Sequence, residues 1–451
     1  MKNITGQFLS SFPVSCHTDT VQPGGTFVAI KGMQQDGLNF VELALQNGAS
    51  RVVVSRESVL SPEQLTLLRE KGAVLERVGD TRLALAQLSA EAQGYPARKL
   101  RFVGVTGTKG KTTTTFLIEH LLRESGFKTA LLSTVKNKIN GVDYKTKLTT
   151  QQPDYLHPFF KRCVDEGVEW VVMEVAAQAF SLHRVHGIVF EAGVFTNFSR
   201  EHGEFYSTQE AYFAAKSGLL AQLKAGAPLF LNRDDRTVAQ LGERYVPTVF
   251  FSGEHPYQCP ALVGAFNAYN IAVAGACARA LGLTQKQIQQ GFLSFNGVPG
   301  RLDRYSLPNK AIAFIDYAHN PASFEAVLGQ LRGMTDHLIV VFGAGGDRDP
   351  VRRHLMGAVA SRLADVVMLT TDNPRSEEPT AIVQAILAGV DGQKRGAVFV
   401  QLDREHAIRE AYAHSHEGSI IALLGKGPDE YQIVKGVTTP FSEREILLSF
   451  K

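Results

Sequence analysis

The stretch RFVGVTGTKGKTT, residues 101–113, decides the fold of the first large part of this 451-residue chain. It opens with a largely apolar, β-forming run, Arg101–Thr106, which passes directly into a glycine-rich turn and then into a helix-forming segment. Such a turn at a helix N-terminus presents backbone N–H groups and the positive end of the helix dipole to a polyphosphate. Lys111 adds a mobile positive charge, and the hydroxyl of Thr112 suits Mg²⁺. The stretch therefore predicts a nucleotide-binding loop, although Val105 stands where the strict loop pattern has its first glycine.

Short β-rich runs alternate with helical patterns on both sides of this stretch, which is typical of parallel sheets with helical crossovers. The strands expected from these runs are Thr26–Ile30, Arg51–Ser55, Arg101–Thr106, Trp170–Glu174, Ala192–Thr196, Ala311–Asp316, His337–Phe342, Val366–Thr370, Val398–Gln401 and Ile420–Leu424. We expect an α/β protein of three domains: a small α/β N-terminal domain over 1–97, a central phosphate-loop domain with a parallel sheet over 98–296, and a Rossmann-like C-terminal domain over 297–451. The sequence GVPG at 297–300 punctuates the second boundary as a linker. Ligands of open parallel sheets bind outside the carboxyl ends of the strands, so the loops there are the candidate sites.

Composition excludes several classes of protein. The 47 basic and 44 acidic residues nearly balance, which argues against a dedicated nucleic-acid binder. The four cysteines are scattered without a CxxC pair, so free thiols in a reducing cytoplasm are expected rather than a metal ribbon or a disulfide framework. The chain has no run of about 18 apolar residues. We therefore expect a soluble, cytoplasmic, monomeric protein that acts on small molecules and contacts neither membrane nor nucleic acid.

Further motifs follow the phosphate loop in a fixed order. They are MEV (173–175), FTNFSREH (195–202), YFAAK (212–216), GAFNAYN (264–270), PGRLDR (299–304), DYAHNP (316–321), GGDRD (345–349), TDNPRSEEP (371–379) and GKGPDEYQ (425–432). Together with TGTKGKTTT they resemble the Mur ligase family, over residues 23–432, and within it the MurE type. The resemblance implies an ATP-dependent, ADP-forming ligase of peptidoglycan synthesis. It would join an amino acid, expected to be meso-diaminopimelate, to the D-Glu carboxylate of UDP-MurNAc-L-Ala-D-Glu through an acyl phosphate.

The same resemblance implies ATP and Mg²⁺ as cofactors and assigns residues to each. The ATP-binding residues would be Gly107, Thr108, Lys109, Gly110, Lys111, Thr112, Thr113, Asn267, Asn270, Arg301, Asp316 and His319. The metal-binding residues would be Thr112, Glu174, His202 and Lys216, with Lys111, Glu174, His202 and Lys216 as the catalytic set. Lys216 would be carbamylated, which converts a cation into an anionic ligand. Taken singly, these positions have plainer interpretations: Glu174 as a salt bridge ending the strand WVVMEV, His202 as a satisfied loop histidine, and Lys216 as a solvated helix lysine.

Three strand ends of the third domain carry the expected amino-acid site. Its residues would be Arg348, Asp372, Asn373, Arg375, Gly425 and Asp429. Arginines suit carboxylates because the guanidinium forms paired hydrogen bonds, and the acidic and amide oxygens suit ammonium groups. The DNPR string resembles diaminopimelate-adding enzymes, whose substrate has a second carboxylate for Arg375. Asp429 stands where the family usually has a glutamate.

The acceptor side departs most from the family pattern. Thr18, Thr149, Thr150 and Arg184 match acceptor-binding positions. However, HTDTVQPG at 17–24 replaces the usual DSR-x-V-x-P-G, and EVAAQ at 174–178 replaces EVSSH. Hydrogen-bonding groups lost from a polar pocket usually alter selectivity.

Three alternatives stay open. The first is a paralogue with the same chemistry on a different, non-UDP acceptor in a specialised pathway. A folylpolyglutamate-synthase-like enzyme is disfavoured by the intact DNPR block. A non-catalytic ATP-binding regulator is disfavoured because Lys111, Glu174, His202 and Lys216 are all retained.

Overall fold

The computed structural model describes residues 8, 11–32, 35–199 and 205–450, with the backbone alone for 394–396. The strands are β1 (Phe12–Ser15), β2 (Val21–Val28), β3 (Arg51–Ser55), β4 (Val74–Val78), β5 (Arg101–Thr106), β6 (Thr129–Leu132), β7 (Asn137–Ile139), β8 (Val142–Tyr144), β9 (Trp170–Glu174), β10 (Phe190–Phe195), β11 (Leu229–Asn232), β12 (Thr248–Phe251), β13 (Asp303–Ser306), β14 (Ile312–Asp316), β15 (Leu338–Phe342), β16 (Val366–Leu369), β17 (Val398–Val400), β18 (Ile420–Leu424), β19 (Tyr431–Val434) and β20 (Val437–Pro440).

Helices connect most of these strands. They are α1 (Val41–Gln46), α2 (Pro62–Glu70), α3 (Thr81–Ala92), α4 (Lys111–Glu124), α5 (Pro153–Asp165), α6 (Ala177–Ser181), α7 (Gln209–Ala221), α8 (Arg236–Ala239), α9 (Ala265–Ala280), α10 (Gln285–Ser294), α11 (Pro321–Arg332), α12 (Val351–Leu363), α13 (Pro379–Leu387), α14 (Arg404–Ala413) and α15 (Glu443–Ser449). Short 3-10 turns occupy Gly37–Phe40, Pro96–Lys99, Gln240–Glu243 and Gly392–Ala397.

The chain divides into two compact units. The first comprises residues 1–258 with 266–294, and the second comprises 259–265 with 295–451. The first unit holds a four-stranded sheet and an eight-stranded sheet, and the second holds a six-stranded sheet. The predicted α/β class, with a small N-terminal sheet, a central phosphate-loop sheet and a Rossmann-like sheet in that order, is confirmed. The exact domain limits at 97/98 and 296/297 stay predictions.

The four-stranded sheet has the order β1-β2-β3-β4, and every neighbouring pair is parallel. Strand β2 starts at Val21, earlier than the expected Thr26, although it contains Pro23 and two glycines. A register shift between Phe12 and Val14 of β1 accommodates this irregular start. The sheet packs β2 and β3 against α1 in one apolar cluster.

The eight-stranded sheet has the order β12-β11-β10-β5-β9-β6-β7-β8, with β5 flanked by the parallel strands β9 and β10. Strand β5 matches its predicted bounds, Arg101–Thr106, and is buried beyond its first residue. Helix α4 follows at Lys111, and its buried face covers the sheet. The phosphate loop therefore emerges at the carboxyl edge of the sheet, as strand, loop and helix predicted.

The six-stranded sheet has the order β13-β14-β18-β15-β16-β17, antiparallel only at β13 and β14. The four central strands end at Asp316, Leu424, Phe342 and Leu369, so the loops that follow them lie along one edge. The separate two-stranded hairpin β19–β20 follows β18. The expected strand runs were within two residues of these bounds, whereas the hairpin was not predicted.

Two further expectations concern composition. The cysteines are free, as predicted; Cys163, Cys259 and Cys277 are buried, whereas Cys16 is only half-buried. In the part of the chain that the structure describes, no helix has the length and apolar character needed to span a membrane.

Candidate active site

The phosphate loop depends on two glycines in unusual backbone conformations. Gly107 has φ +138° and Gly110 has φ +82°. A Cβ atom on Gly107 would overlap the Thr196 hydroxyl, and one on Gly110 would lie 2.5 Å from Asn270 Oδ1. Only glycine therefore fits at either position, so the shape of the loop depends on both glycines.

The end of β10 fixes the loop from one side. The Thr196 hydroxyl donates to the Lys109 carbonyl oxygen (2.6 Å), and the Asn197 amide donates to the same oxygen (3.0 Å). The Lys109 N–H in turn donates to Asn197 Oδ1 (2.9 Å), and the Ser199 N–H donates to the Thr108 hydroxyl (3.0 Å). The motif FTNFSREH contains Thr196 and Asn197, but no role was predicted for them. The available signal was polar residues directly after a buried strand.

Two predicted lysines meet at this loop. Lys111 Nζ donates to the carbonyl oxygens of Gly107 (3.0 Å) and Thr108 (2.9 Å). Lys216, on α7, is 1% exposed, and its Nζ donates to the Gly107 carbonyl oxygen at 2.6 Å. It also lies 4.7 Å from the centre of the Tyr212 ring. Lys216 is thus a buried loop contact, and the interpretation as a solvated helix lysine is wrong.

Glu174 ends β9 and is fully buried. Its carboxylate accepts hydrogen bonds from the Thr134 N–H (2.8 Å) and the Thr134 hydroxyl (3.0 Å). No basic side chain in the described ranges pairs with it, so the plainer interpretation as a strand-end salt bridge has no support there. A buried carboxylate without a cation is costly, which fits a metal ligand.

Of the remaining predicted metal ligands, Thr112 is described by the structure and His202 is not. Thr112 lies in the first turn of α4 and is buried, next to Lys111. His202 lies outside the described residues. Among the residues that are described, no group of three or more His, Cys, Asp or Glu side chains is arranged to hold a metal ion. Of the predicted ligands that are described, Glu174 and Thr112 both carry oxygen donors, the atom type that Mg²⁺ prefers.

The predicted nucleotide contacts of the first unit come together beside the loop. Asn267 and Asn270 lie on α9 and are both buried. Asn270 Nδ2 donates to Asn267 Oδ1 (2.9 Å), and the Thr114 hydroxyl donates to Asn270 Oδ1 (3.2 Å). Since Thr114 belongs to α4, these bonds hold α9 to the helix that starts the phosphate loop.

The predicted nucleotide contacts of the second unit cluster after β14. The Asp316 carboxylate accepts the N–H groups of Leu302 (2.7 Å) and Ala318 (2.8 Å), and burial raises its pKa while Arg301 lowers it. The Arg301 guanidinium lies 4.8 Å from the centre of the Tyr317 ring. His319 is exposed, with Nδ1 2.8 Å from the Tyr317 carbonyl oxygen.

The DNPR loop brings the predicted amino-acid ligands together. Arg375 has φ +52° and donates from Nη1 to the Gly346 carbonyl oxygen (2.7 Å). Asp372 and Asn373 are buried at the start of the loop. Gly425, with φ +108°, passes so close that a Cβ atom would lie 2.7 Å from Asp372 Oδ2.

The outer ligands of this site lie at its rim. Arg348 is exposed, and both Arg348 and Arg375 lie close to Gly345. A Cβ atom on Gly345 would lie 3.6 Å from Arg348 Cγ and 3.0 Å from Arg375 Nη1. Asp429 is partly buried; burial raises the pKa of its carboxyl, and the nearby Lys426 ammonium lowers it. All six predicted amino-acid ligands therefore lie in loops at one edge of the six-stranded sheet.

Two buried basic residues that sequence reasoning missed fix these loops. Lys426 donates to Asn373 Oδ1 (3.3 Å) and to the Tyr431 carbonyl oxygen (2.7 Å). Arg353 forms a paired interaction with Glu377, with both N–O distances 2.8 Å. The signal for Lys426 was its place inside the quoted string GKGPDE, directly after a buried strand.

Three of the four predicted acceptor residues surround the end of β9. The Thr150 hydroxyl donates to the Glu174 carbonyl oxygen (2.9 Å) and accepts the Ala176 N–H (3.0 Å). Arg184 Nη1 donates to the Thr150 carbonyl oxygen (2.9 Å). The Thr149 and Thr134 hydroxyls lie 3.1 Å apart, which links this group to the donors of the Glu174 carboxylate.

Arg184 is buried, and its Nε has no hydrogen-bond partner among the described residues. Burial and the nearby Arg82 lower its pKa. A buried guanidinium with an unsatisfied donor is costly unless an anion completes the site. The position therefore fits a carboxylate or phosphate of a ligand.

Thr18 lies apart, in the turn between β1 and β2, where its carbonyl oxygen accepts the Asn47 amide (2.7 Å). The end of β1, just before this turn, is bonded to α5. Asp154, in the first turn of α5, accepts the Cys16 N–H (3.0 Å) and the Ser15 hydroxyl (3.3 Å). Burial and the Asp154 carboxylate raise the pKa of the Cys16 thiol well above its usual value.

A phosphate loop shaped by glycines beside a buried carboxylate, and a second sheet edge with arginine, acidic and amide side chains, are typical of an enzyme that uses a nucleotide and binds charged small molecules. Residues 105–259 match the Mur ligase middle domain, and residues 300–427 match the Mur ligase glutamate ligase domain. The UDP-N-acetylmuramoyl-L-alanyl-D-glutamate--2,6-diaminopimelate ligase of Clostridium perfringens (strain 13 / Type A) is 36% identical, covering 95% of this chain and 92% of its own length.

Solved structures agree. A structure of UDP-N-acetylmuramoyl-L-alanyl-D-glutamate--2,6-diaminopimelate ligase superposes with a TM-score of 0.63 at 26% identity, covering 97% of this chain and 94% of the other. The MurF ligase of Thermotoga maritima in complex with ADP shares the fold, with a TM-score of 0.62 at 20% identity over 98% of this chain and 97% of the other. The chain belongs to the Mur ligase family, which confirms the predicted family and its ligase class.

Proposed function

We propose that this protein is an ATP-dependent ligase that adds meso-diaminopimelate to the D-Glu carboxylate of UDP-MurNAc-L-Ala-D-Glu in peptidoglycan synthesis. One observation carries the choice of amino acid. Arg375, Asp372 and Asn373 converge on the carboxyl edge of the six-stranded sheet, in a chain 36% identical to a diaminopimelate-adding ligase. We assign residues 1–97 to binding of the acceptor, 98–296 to binding of ATP and 297–451 to binding of the amino acid. The reaction is proposed to take place in the cytoplasm, where ATP is supplied.

Activation of the acceptor begins at the phosphate loop. The loop N–H groups and Lys111 hold the phosphates of ATP, and an acceptor carboxylate oxygen attacks the γ-phosphorus, so that ADP leaves. This converts a poor electrophile into an acyl phosphate. Mg²⁺ would supply neutralisation of the phosphate charge when bound. The residues to hold it are Thr112, Glu174, His202 and a carbamylated Lys216; support comes from the burial of Glu174 without a described cation.

The amino acid supplies the attacking group. Its neutral amine attacks the acyl carbon, and the tetrahedral intermediate expels phosphate as the amide forms. Arg375 and Arg348 would pair with carboxylates of diaminopimelate, and Asp372, Asn373 and Asp429 would accept from its ammonium groups. The partly buried position of Asp429 beside Lys426 supports its role as the distal ammonium partner, in place of a longer glutamate.

The acceptor site contains one unsatisfied cation. Arg184 is buried without a described anion, next to Thr150 and the end of β9. A carboxylate of the muramoyl peptide would complete it. Thr149, Thr150, Arg184 and Thr18 are the acceptor residues of this proposal.

A second candidate differs only in the acceptor, a smaller carboxylate that lacks UDP. It is favoured by Ala176 and Ala177, which stand where the family has hydroxyls, at the end of β9 where the Ala176 N–H donates to the Thr150 hydroxyl. Several lost hydrogen bonds, each worth about 0.5–1.5 kcal/mol, would weaken binding of the nucleotide acceptor by about one to three decades. The two acceptors are distinguished by titrating UDP-MurNAc-L-Ala-D-Glu and the bare dipeptide separately. Saturation by the nucleotide acceptor in the low micromolar range, with no activity on the bare dipeptide, supports the peptidoglycan role.

The direct test of the proposed function is ADP release from the intact protein. Each acceptor is crossed with meso-diaminopimelate, lysine and ornithine, with every mixture lacking one component as its control. We expect ADP only when acceptor and diaminopimelate are both present, together with a product whose mass equals their sum less one water. Equal use of lysine would refute the role of Arg375, and ADP release without amide formation would refute the ligase.

A further inference from the structure

The hairpin β19–β20 holds the backbone of Arg375. The Arg375 N–H donates to the Ile433 carbonyl oxygen (3.1 Å), and the Lys435 N–H donates to the Arg375 carbonyl oxygen (2.6 Å). Arg375 has φ +52°, a left-handed conformation that a residue with a side chain adopts only when its surroundings enforce it. The hairpin therefore enforces the conformation from which the Arg375 guanidinium reaches its site.

The same strand also holds the two residues before the turn of this loop. Gln432 Nε2 donates to the Asp372 carbonyl oxygen (2.9 Å), and the Ile433 N–H donates to Asn373 Oδ1 (2.9 Å). Three ligands of the amino-acid site, at 372, 373 and 375, thus depend on one strand of a hairpin. That hairpin belongs to none of the large sheets.

Lys426 joins the hairpin to the loop. Its side chain is fully buried, and its Nζ donates to the Tyr431 carbonyl oxygen (2.7 Å) and to Asn373 Oδ1 (3.3 Å). The same atom lies 3.7 Å from Asp372 Oδ1 and 5.4 Å from the centre of the Phe441 ring. A buried ammonium must be matched by such acceptors, so Lys426, Asn373 and the start of β19 are mutually dependent.

We propose that Lys426 is a positioning residue for amino-acid selection. It fastens β19 to the DNPR loop and thereby fixes Asp372, Asn373 and Arg375 before the amino acid binds. This inference rests on the proposed function of that loop. Without the ammonium, β19 loses its link through Lys426 to Asn373. The loop is then held only by the remaining bonds to Gln432, Ile433 and Lys435, so the left-handed conformation of Arg375 is less firmly enforced. Binding of the amino acid must then include the ordering of the loop.

This role differs from a merely structural one in what it changes. A positioning residue raises KM for diaminopimelate and lowers discrimination against lysine, while KM for ATP stays constant. Substitution of a residue that only stabilises the fold lowers the melting temperature but leaves the preference for diaminopimelate over lysine unchanged. Lys310, at the opposite end of the same sheet and paired with Glu417 on the surface, is the matched control.

The test compares Lys426→Met with Lys310→Met in the full-length protein. For Lys426→Met we expect KM for diaminopimelate to rise by about ten- to hundredfold, as for a lost charged hydrogen bond, with KM for ATP unchanged. Hydrogen exchange of the backbone at residues 371–377 should accelerate, whereas Lys310→Met should match the natural protein in both. A folded Lys426→Met protein with unchanged KM, discrimination and exchange would overturn the proposal.

A second variant covers the case in which Lys426→Met does not fold. Gln432→Leu changes a partly exposed side chain and removes only the bond to the Asp372 carbonyl oxygen. We expect it to raise KM for diaminopimelate about threefold to tenfold and to accelerate hydrogen exchange at 371–377. No change in either would overturn the proposal that β19 positions the DNPR loop. Exchange needs no substrate. If the natural protein consumes no ATP with acceptor and diaminopimelate together, the proposed function fails, while exchange still decides whether β19 orders the loop.

Discussion

The phosphate loop of the first unit and the DNPR loop of the second lie at the same kind of place but are held differently. Both follow buried parallel strands. The first is fixed by backbone shape, through Gly107 and Gly110, and by polar groups from the adjacent strand. The second is fixed by side chains from remote segments, chiefly Lys426 and Arg353. A site fixed by backbone shape is recognisable in a short string, whereas a site fixed by a side-chain network is not.

This difference predicts that substitutions in the two loops reduce activity to different extents. Gly107→Ala should have the largest effect, because its Cβ atom would overlap the Thr196 hydroxyl. A displaced phosphate loop should reduce ATP-dependent ligation by at least about a hundredfold. Gly126→Ala is the matched control: Gly126 also has positive φ, but a Cβ atom there meets nothing within 4 Å. Equal activity of the two variants would show that the loop tolerates a side chain.

Lys216→Ala tests whether this lysine acts as a carbamate. We expect ligation to fall by about two orders of magnitude, since an anionic ligand of the metal is worth several kcal/mol. Short carboxylic acids should restore part of the activity, whereas alkylamines should not. Lys224→Ala, which changes a lysine paired with Glu191 on the surface, should retain full activity. Restoration by amines instead would mean that Lys216 works as an ammonium.

Arg375→Ala tests the choice of amino acid. The loss of a charged pair costs about 2–5 kcal/mol in a dry site, so discrimination of diaminopimelate over lysine should shrink at least about tenfold. The measurement is the ratio of kcat/KM values for the two amino acids. Arg362→Ala, on an exposed face of α12 and paired with Glu325, is the control. A constant ratio would place the second carboxylate elsewhere.

Ala176→Ser should have the smallest effect. The Ala176 N–H donates to the Thr150 hydroxyl, and a hydroxyl added at this position should lower KM for the muramoyl dipeptide acceptor by about twofold to tenfold, the value of one hydrogen bond. Position 176 is also the N-cap of α6, which lacks a side-chain cap. A higher melting temperature with unchanged KM would mean that the hydroxyl caps the helix and does not reach the acceptor.

The same contrast explains what could be predicted from the sequence. The strand bounds Arg101–Thr106, Trp170–Glu174 and Ile420–Leu424 followed from apolar runs that end at polar or glycine residues. The early start of β2 was missed because Pro23, Gly24 and Gly25 are typical of a turn; the register shift on β1 is what admits them to a strand.

Site residues were predictable to a similar, uneven degree. Lys111 and Lys216 are 105 residues apart in sequence, and both contact the Gly107 carbonyl oxygen. Both could be predicted because each lies in a family motif. Lys426 also lies in a family motif, GKGPDEYQ, but its role depends on contacts with Asn373 and with the backbone of Tyr431, which the string does not reveal. The hairpin β19–β20 is short, and its strands are largely exposed, so it lacks the apolar run that predicts a strand.

The central proposal is a division of labour: the phosphate loop serves activation of the acceptor carboxylate, and the DNPR loop selects the amine. Hydroxylamine trapping tests it most directly, because hydroxylamine intercepts an acyl phosphate when no amino acid is present. With ATP and acceptor alone, the natural protein and Arg375→Ala should form hydroxamate and ADP at equal rates, and Gly107→Ala should form neither. Failure of Arg375→Ala to form hydroxamate, while the natural protein does, would contradict the account.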